Sequence, residues 1–267
     1  MTVKKEHRTT QILGLTLFSK DMASLLEILQ DHLSEKNELL TLFTPNAEQL
    51  AQSSQNPNFK QHLQQAELLI PDGFSLVLAS RLFSAIQQKP KIKERIAGID
   101  LAQVLITSPL FLKETTLIIG GNNYDVLVKD TVCLNPTLNF WQLAENLYWS
   151  PGFADKEKPT QDEEAQLAEI LAELQPSIVM VALGAPSQEK WIIERRALLE
   201  KNQVRLALAV GGAFDVIFGK LQRAPILMQK IGLEWLFRLA QEPWRFKRQL
   251  RLFMFWWLVI KELFRKH

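Results

Sequence analysis

SIVMVALG (177–184), QEKWIIERRALLEKN (188–202) and VRLALAVGG (204–212) follow one another with almost nothing between them. The outer two are short, nearly continuous apolar runs that end in glycine. The middle one carries its apolar residues at helical spacing. A strand that is apolar on both sides must be covered on both faces, and strand, helix, strand is the unit from which parallel sheets are built. Toward the N-terminus the same wording recurs in TTLIIGG (115–121), AELLIPDG (66–73), ELLTLFT (38–44) and ILGLTLF (12–18), and PTLNFWQLA (136–144) supplies a further strand. Asp21 is placed to cap a helix running through about Leu33, and Pro45 stands where another helix can begin.

The fold class predicted is therefore α/β, a Rossmann-like parallel sheet with helices on both faces. The repeated strand-then-glycine ending marks the carboxyl edge, where such sheets take their ligands. From about Gly232 the strand signal stops, and the chain reads as helix, break at Pro243, helix. The expected division is an α/β domain over 1–231 and a C-terminal helical appendage over 232–267.

Charge sharpens that division. The net charge is +2, too small for whole-surface attraction to nucleic acid, yet the segment from Arg238 to His267 holds eight Lys/Arg against Glu242 and Glu262. A basic module with an anionic partner is implied. In the last helix Phe246, Leu250, Phe253, Trp257, Ile260 and Phe264 recur at spacings of four and three, with Lys247, Arg248, Arg251, Arg265 and Lys266 opposite. The apolar centre, Leu252 to Ile260, falls short of the roughly 20 residues that cross a bilayer. An amphipathic helix lying in the membrane surface fits this pattern, and packing against a second copy of the chain is the rival. The one cysteine, Cys133, excludes an internal disulfide and fits a reducing compartment. His7, His32, His62 and His267 show no ligand spacing, so no metal site is expected.

Two constellations carry chemistry. Thr44-Pro45-Asn46 and Pro71-Asp72-Gly73 both stand at the ends of predicted strands, where a carboxylate is well placed to take a proton from a substrate hydroxyl. A plain turn cap is the alternative for Asp72. Gly184-Ala185-Pro186-Ser187-Gln188-Glu189 and Gly211-Gly212-Ala213-Phe214-Asp215 offer backbone N–H groups to phosphates, although strand ends need glycine for geometry too.

TPNAEQL (44–50), LLIPDGFSLVLASRL (68–82), ERIAGIDL (94–101), LIIGG (117–121), SPGF (150–153), VALGAPSQEKW (181–191), GGAFDVIFGKLQRAP (211–225) and IGLEWLFRLAQEPWRFKR (231–248) together resemble the WecG/TagA/CpsF glycosyltransferases, glycosyltransferase family 26, in wording, order and spacing. The resemblance covers nearly the whole chain. It implies inverting transfer of N-acetylmannosamine, its uronic acid or a hexose from UDP to an undecaprenyl-diphosphate-linked sugar, in teichoic acid or exopolysaccharide synthesis. It makes Asp72 the general base, with Thr44 and Asn46 lining the sugar site. It has Arg95, Gly98 and Asp100 holding the donor, and Gln188 and Asp215 facing the nucleotide beside Gly211 and Gly212. The family often reads Ser-Pro-Pro-Phe where this chain has Ser150-Pro151-Gly152-Phe153, which bears on the shape of that loop.

Inverting transfer is one in-line displacement, needing a base on the acceptor side and charge to steady the departing UDP. The chain has no Asp-x-Asp motif to hold a divalent metal. Cationic side chains are then the candidates: Arg95, Arg223, and the appendage residues Arg238, Arg245 and Arg248. Surface charge is the alternative for Arg223, and membrane-surface charge for the appendage arginines. No cofactor is called for. The expected partners are a UDP-sugar donor, a polyprenyl-diphosphate-linked acceptor and the cytoplasmic face of the cell membrane, with a second copy of the chain as a further candidate. Two other functions compete. A nucleotide-cofactor oxidoreductase is disfavoured because no Gly-x-Gly-x-x-Gly follows a strand, and a non-enzymatic membrane adaptor would leave Asp72 without a task.

Overall fold

The computed structural model describes residues 9–35, 38–156, 158–243 and 246–264, with the side chains of 247–249 outside that description. The elements in chain order are β1 (Thr9–Ile12), β2 (Leu15–Phe18), α1 (Met22–Ser34), β3 (Leu40–Phe43), α2 (Ala47–Gln55), α3 (Pro57–Gln65), β4 (Leu68–Leu69), α4 (Phe74–Gln87) and α5 (Gly98–Thr107). Then come β5 (Thr116–Gly120), α6 (Tyr124–Leu127), β6 (Val132–Asn135), β7 (Phe140–Ala144), β8 (Leu147–Ser150), α7 (Gln161–Leu174) and β9 (Ile178–Ala182). The last are α8 (Ser187–Glu194), α9 (Arg196–Lys201), β10 (Leu206–Ala209), α10 (Ala213–Ile217), α11 (Ile226–Lys230), α12 (Glu234–Gln241) and α13 (Phe246–Leu263). The class is mixed α/β with a mostly parallel sheet, as the apolar runs predict. The chain divides into two units: Met1–Leu25, Phe43–Ala97 and Leu221–His267 form one, and Leu26–Leu42 with Gly98–Lys220 the other.

The second unit holds the strand order β3-β10-β9-β5-β8-β7-β6 among the described residues. β10, β9, β5 and β8 run parallel, while β7 pairs antiparallel with β8 and β6 antiparallel with β7. Ile118, Val179, Met180 and Leu208 have no exposed surface, as strands covered on both faces must. The segment read as one strand over 136–144 is instead a turn followed by β7, the middle of a meander. That meander is antiparallel because its connections are short, whereas a parallel pair needs a crossover. The helix read over 188–202 is two, α8 and α9, meeting at Arg195.

The first unit begins with a hairpin where one strand was expected over 12–18. Leu13 and Gly14 both take positive φ (52° and 75°), the conformation a two-residue hairpin turn needs at its centre, so β1 folds back on β2. Asp21 caps α1 as expected, accepting from the Ser24 N–H at 3.0 Å. Its carboxyl is held well below the ordinary range, first by the Lys93 ammonium that bonds it and then by Ser24. The tail belongs to this unit. α13 packs on α2 and α4, burying Phe255, Val259 and Leu263 at helical spacing. Each such side chain contributes about 1.5–3 kcal/mol. Glu262 adds polar ties, accepting from the Leu13 N–H at 2.8 Å and pairing with Lys89 at 3.2 Å. The six residues of the predicted apolar stripe lie elsewhere on the helix and remain exposed, from Ile260 at 54% to Phe253 at 75%. No helix of the described residues is long and apolar enough to cross a membrane.

Candidate active site

In the first unit, Thr44-Pro45-Asn46 follows Phe43, and β4 leads into Pro71-Asp72-Gly73. The two turns are bonded to each other: the Asp72 N–H donates to the Pro45 carbonyl at 3.0 Å, following Ile70 N–H to Phe43 carbonyl at 2.8 Å. Asn46 faces Gly73, and a Cβ built on that glycine would sit 3.7 Å from the Asn46 Cβ. Asn46 also caps α2. Its Oδ1 accepts from the Gln49 N–H at 3.0 Å, and Gln49 returns the bond at 2.9 Å. A capping box fixes the turn rigidly, which is how a helix start can serve a site beside it. The turns that carry Thr44, Asn46 and Asp72 are thus bonded side by side.

A third segment joins them. The Ile96 N–H donates to the Pro71 carbonyl at 3.2 Å and anchors Arg95, whose Nε lies 3.8 Å from Asp72 Oδ1. The far end of the same guanidinium pairs with Glu234 Oε2 at 2.5 Å. Arg223 Nε approaches the other oxygen, Glu234 Oε1, at 3.9 Å. The result is a line of alternating charge, Asp72, Arg95, Glu234, Arg223, each side chain between 19% and 30% exposed. Arg238 pairs with Glu242 on its own helix at 3.0 Å. Arg245 lies outside the described residues, as does the side chain of Arg248.

The second unit presents a different construction. Gly184 and Gly211, at the ends of β9 and β10, both have positive φ (77° and 54°). Gln188 is buried between them: its Oε1 accepts from the Gly211 N–H at 2.9 Å and from the Gly184 N–H at 3.2 Å. Its Nε2 donates to Glu189 Oε1 at 3.0 Å. The amide that the family resemblance turns toward the nucleotide is thus engaged in clamping the two glycine turns. Burial pushes the Glu189 carboxyl up to about 7, with the bonds from Gln188 and the backbone pulling the other way. A Cβ on Gly184 would meet nothing within 4 Å, so that turn opens onto free space. Gly212 precedes α10, and Asp215 stands in its first turn. Asp215 accepts from the Tyr124 hydroxyl at 3.2 Å and lies 3.5 Å from Lys220 Nζ. Burial, then the Asp215 charge, push the Tyr124 phenol far above its ordinary value. Gly98 and Asp100 open α5, where an acid is favoured by the helix dipole.

The same unit contains a cavity of about 330 Å³ beyond the ends of β5 and β8. Asn122, Asn139 and Gln166 supply its amides, while Leu138, Phe153 and Ile170 supply apolar wall. Its size is at the lower end of the range for small-molecule sites.

With the geometry in view, comparison with known proteins places the chain. The model of the glycosyl transferase WecG/TagA/CpsF family matches residues 10–267. The chain belongs to this family. It is a glycosyltransferase. Two relatives, each named N-acetylglucosaminyldiphosphoundecaprenol N-acetyl-beta-D-mannosaminyltransferase, are similar over nearly their full length. The one from Bacillus subtilis (strain 168) is 27% identical over 255 residues, 96% of this chain and 92% of that protein. The one from Bacillus spizizenii (strain ATCC 23059 / NRRL B-14472 / W23) is 28% identical over 245 residues, 92% and 88% respectively.

In this WecG/TagA/CpsF enzyme the loop after β8 turns at Gly152. Gly152 has φ 76°, which a proline ring forbids, so a Ser-Pro-Pro-Phe sequence would need another loop shape here. Three residues of the arrangement were given no role by sequence reasoning: Glu234, Tyr124, and Glu189, which was named only as part of the 184–189 constellation. Glu234 and Glu189 sit inside quoted family segments, IGLEWLF and APSQEKW, and Tyr124 follows LIIGG closely. Their positions were signalled, but their partners, brought from distant segments, were not.

Proposed function

We propose that this glycosyltransferase moves a sugar, with inversion, from a UDP-sugar onto an undecaprenyl-diphosphate-linked acceptor. The observation that carries the reading is Asp72. It is a part-exposed carboxylate on a turn fixed from two sides, with a guanidinium 3.8 Å away. Asp72 takes the proton of the acceptor hydroxyl as that oxygen attacks the anomeric carbon. Thr44 and Asn46 line the sugar. Arg95 and Arg223, with Arg238, Arg245 and Arg248 of the appendage, balance the charge on the departing diphosphate. Gly98, Asp100 and Asp215, with the turns at Gly184, Gly211 and Gly212 held by Gln188, serve the donor. The named relatives support a prenyl-diphosphate acceptor and make N-acetylmannosamine the first donor to test. The test is a screen of UDP-sugars with a short-chain prenyl-diphosphate-sugar acceptor, following UDP release. Turnover with UDP-N-acetylmannosamine is the expected result, and no release with any UDP-sugar would sink the reading.

The enzyme works as a peripheral protein on the inner face of the cell membrane, residues 232–267 acting as its membrane appendage. Support comes from the stripe of six exposed apolar residues on α13, with Phe253 and Trp257 at 75% and 59%. The double variant Phe253→Ser/Trp257→Ser should lose about tenfold or more in affinity for anionic vesicles, since about 0.8 kcal/mol follows each buried methylene. Its melting temperature should stay the same. Unchanged vesicle binding with lost self-association would make the stripe a subunit contact instead.

A further inference from the structure

Two guanidinium groups share one carboxylate in the first unit. Arg95 reaches Glu234 Oε2 at 2.5 Å and Arg223 approaches Oε1 at 3.9 Å, so each oxygen faces a different arginine. The forked, planar guanidinium suits a carboxylate and a phosphate oxyanion alike. Glu234 is delivered to this position by hard packing. The turn before α12 passes Gly232 (φ 78°), where a Cβ would lie 2.8 Å from the Phe74 side chain. Only a glycine lets the turn sit so close, and the next residues carry the carboxylate onto Arg95. The pairing is not sealed from solvent, since Arg95, Glu234 and Arg223 are 19%, 25% and 26% exposed.

We propose that the Glu234 carboxylate is a built-in stand-in for a substrate phosphate, occupying Arg95 and Arg223 until a diphosphate displaces it. Glu234 is thereby a positioning residue that sets how tightly the phosphate-bearing substrate is held. This rests on the reading that Arg95 and Arg223 meet the donor's phosphates. The electrostatics require some such exchange. Asp72, Arg95, Glu234 and Arg223 sum to no net charge, so the cluster as it stands offers a diphosphate little attraction. Once Glu234 turns away, both guanidiniums face the ligand and one net positive charge remains. Holding the arginines with an internal anion also offsets two partly buried positive charges in the free protein.

The stand-in and a plain structural role predict opposite signs. Calorimetric titration of UDP, and separately of inorganic pyrophosphate, into the full chain compares wild type with Glu234→Gln. Loss of the competing charge should tighten both ligands by about tenfold at low salt. That gain should vanish in an Arg95→Gln background. Glu234→Ala is the second variant should the glutamine form fold poorly, with the same expectation. Equal or weaker binding in the folded variants would overturn the proposal, since the carboxylate would then be holding the arginines in place for the ligand. A gain that persists undiminished without Arg95 would also overturn it, because the effect would then be net charge alone. Tighter pyrophosphate with no UDP binding to either protein would keep the stand-in and remove the UDP reading.

Discussion

The two units build their sites from different materials. In the first, charged side chains from separated segments converge: Asp72, Arg95, Arg223 and Glu234, all partly exposed. In the second, backbone N–H groups at Gly184 and Gly211 are held by one buried amide, Gln188. The first arrangement can change its charge state and partners at little cost to the fold. The second cannot be altered without taking the shared, buried acceptor away from two part-buried hydrogen-bond donors. Function and stability should therefore separate cleanly between them.

The largest effect expected is on chemistry, in the first unit. Asp72→Asn keeps the shape of the turn, and the main-chain bond from its N–H to Pro45 is indifferent to the side chain. Turnover should fall by about 10²–10⁴-fold, the usual contribution of a general base. UDP affinity and melting temperature should stay close to wild type. A variant that loses stability as well would show that the carboxylate is a turn cap, and the contrast between the units would fail.

The converse is expected for Gln188→Leu. Leucine approximates the volume but accepts nothing, so the part-buried Gly184 and Gly211 N–H groups lose their shared partner. The cost is about 1–3 kcal/mol, less than the full penalty of two buried stranded donors because both turns are partly exposed to water. Donor affinity should drop with stability, because the same turns lose their fixed geometry. Denaturant unfolding measures the first and UDP titration the second. A stable variant with weak UDP binding would instead make Gln188 a direct ligand contact.

This contrast also explains what could be read in advance. β5, β9 and β10 were legible because a strand buried on both faces writes itself as a continuous apolar run, and each turn beyond it demands glycine. The meander was harder. β6 is exposed along its first three residues, so Val132-Cys133-Leu134 carries no burial pattern to betray it. Asp72 was legible as an acid at a strand end, but the pair that links its neighbour Arg95 to Glu234 joins distant segments, and no local periodicity encodes it. In α13 two apolar stripes compete. The wheel found the exposed one, whereas Phe255, Val259 and Leu263 make the packed face, and sequence cannot say which of two apolar faces meets protein.

The smallest effect separates the units by pH. Glu189 is 1% exposed, and burial lifts its carboxyl from 4.5 to about 7. Between those values the folded protein keeps a proton that the unfolded chain has already released. Stability must then fall as pH rises from about 4.5 to about 7 and level off above, by up to about 3 kcal/mol from this group. Glu189→Gln removes the charge while keeping an oxygen to accept from Gln188. Its melting temperature should match wild type near pH 5 and exceed it by several degrees near pH 8. Asp21 acts in the opposite sense in the first unit, because its depressed carboxyl loses its stabilising pairing only as pH falls below the ordinary aspartate range. The two carboxyls therefore act in different pH windows. Parallel melting curves for wild type and Glu189→Gln across pH 5–8 would mean that Glu189 is solvated in solution, and that the clamp in the second unit is more open than its burial implies.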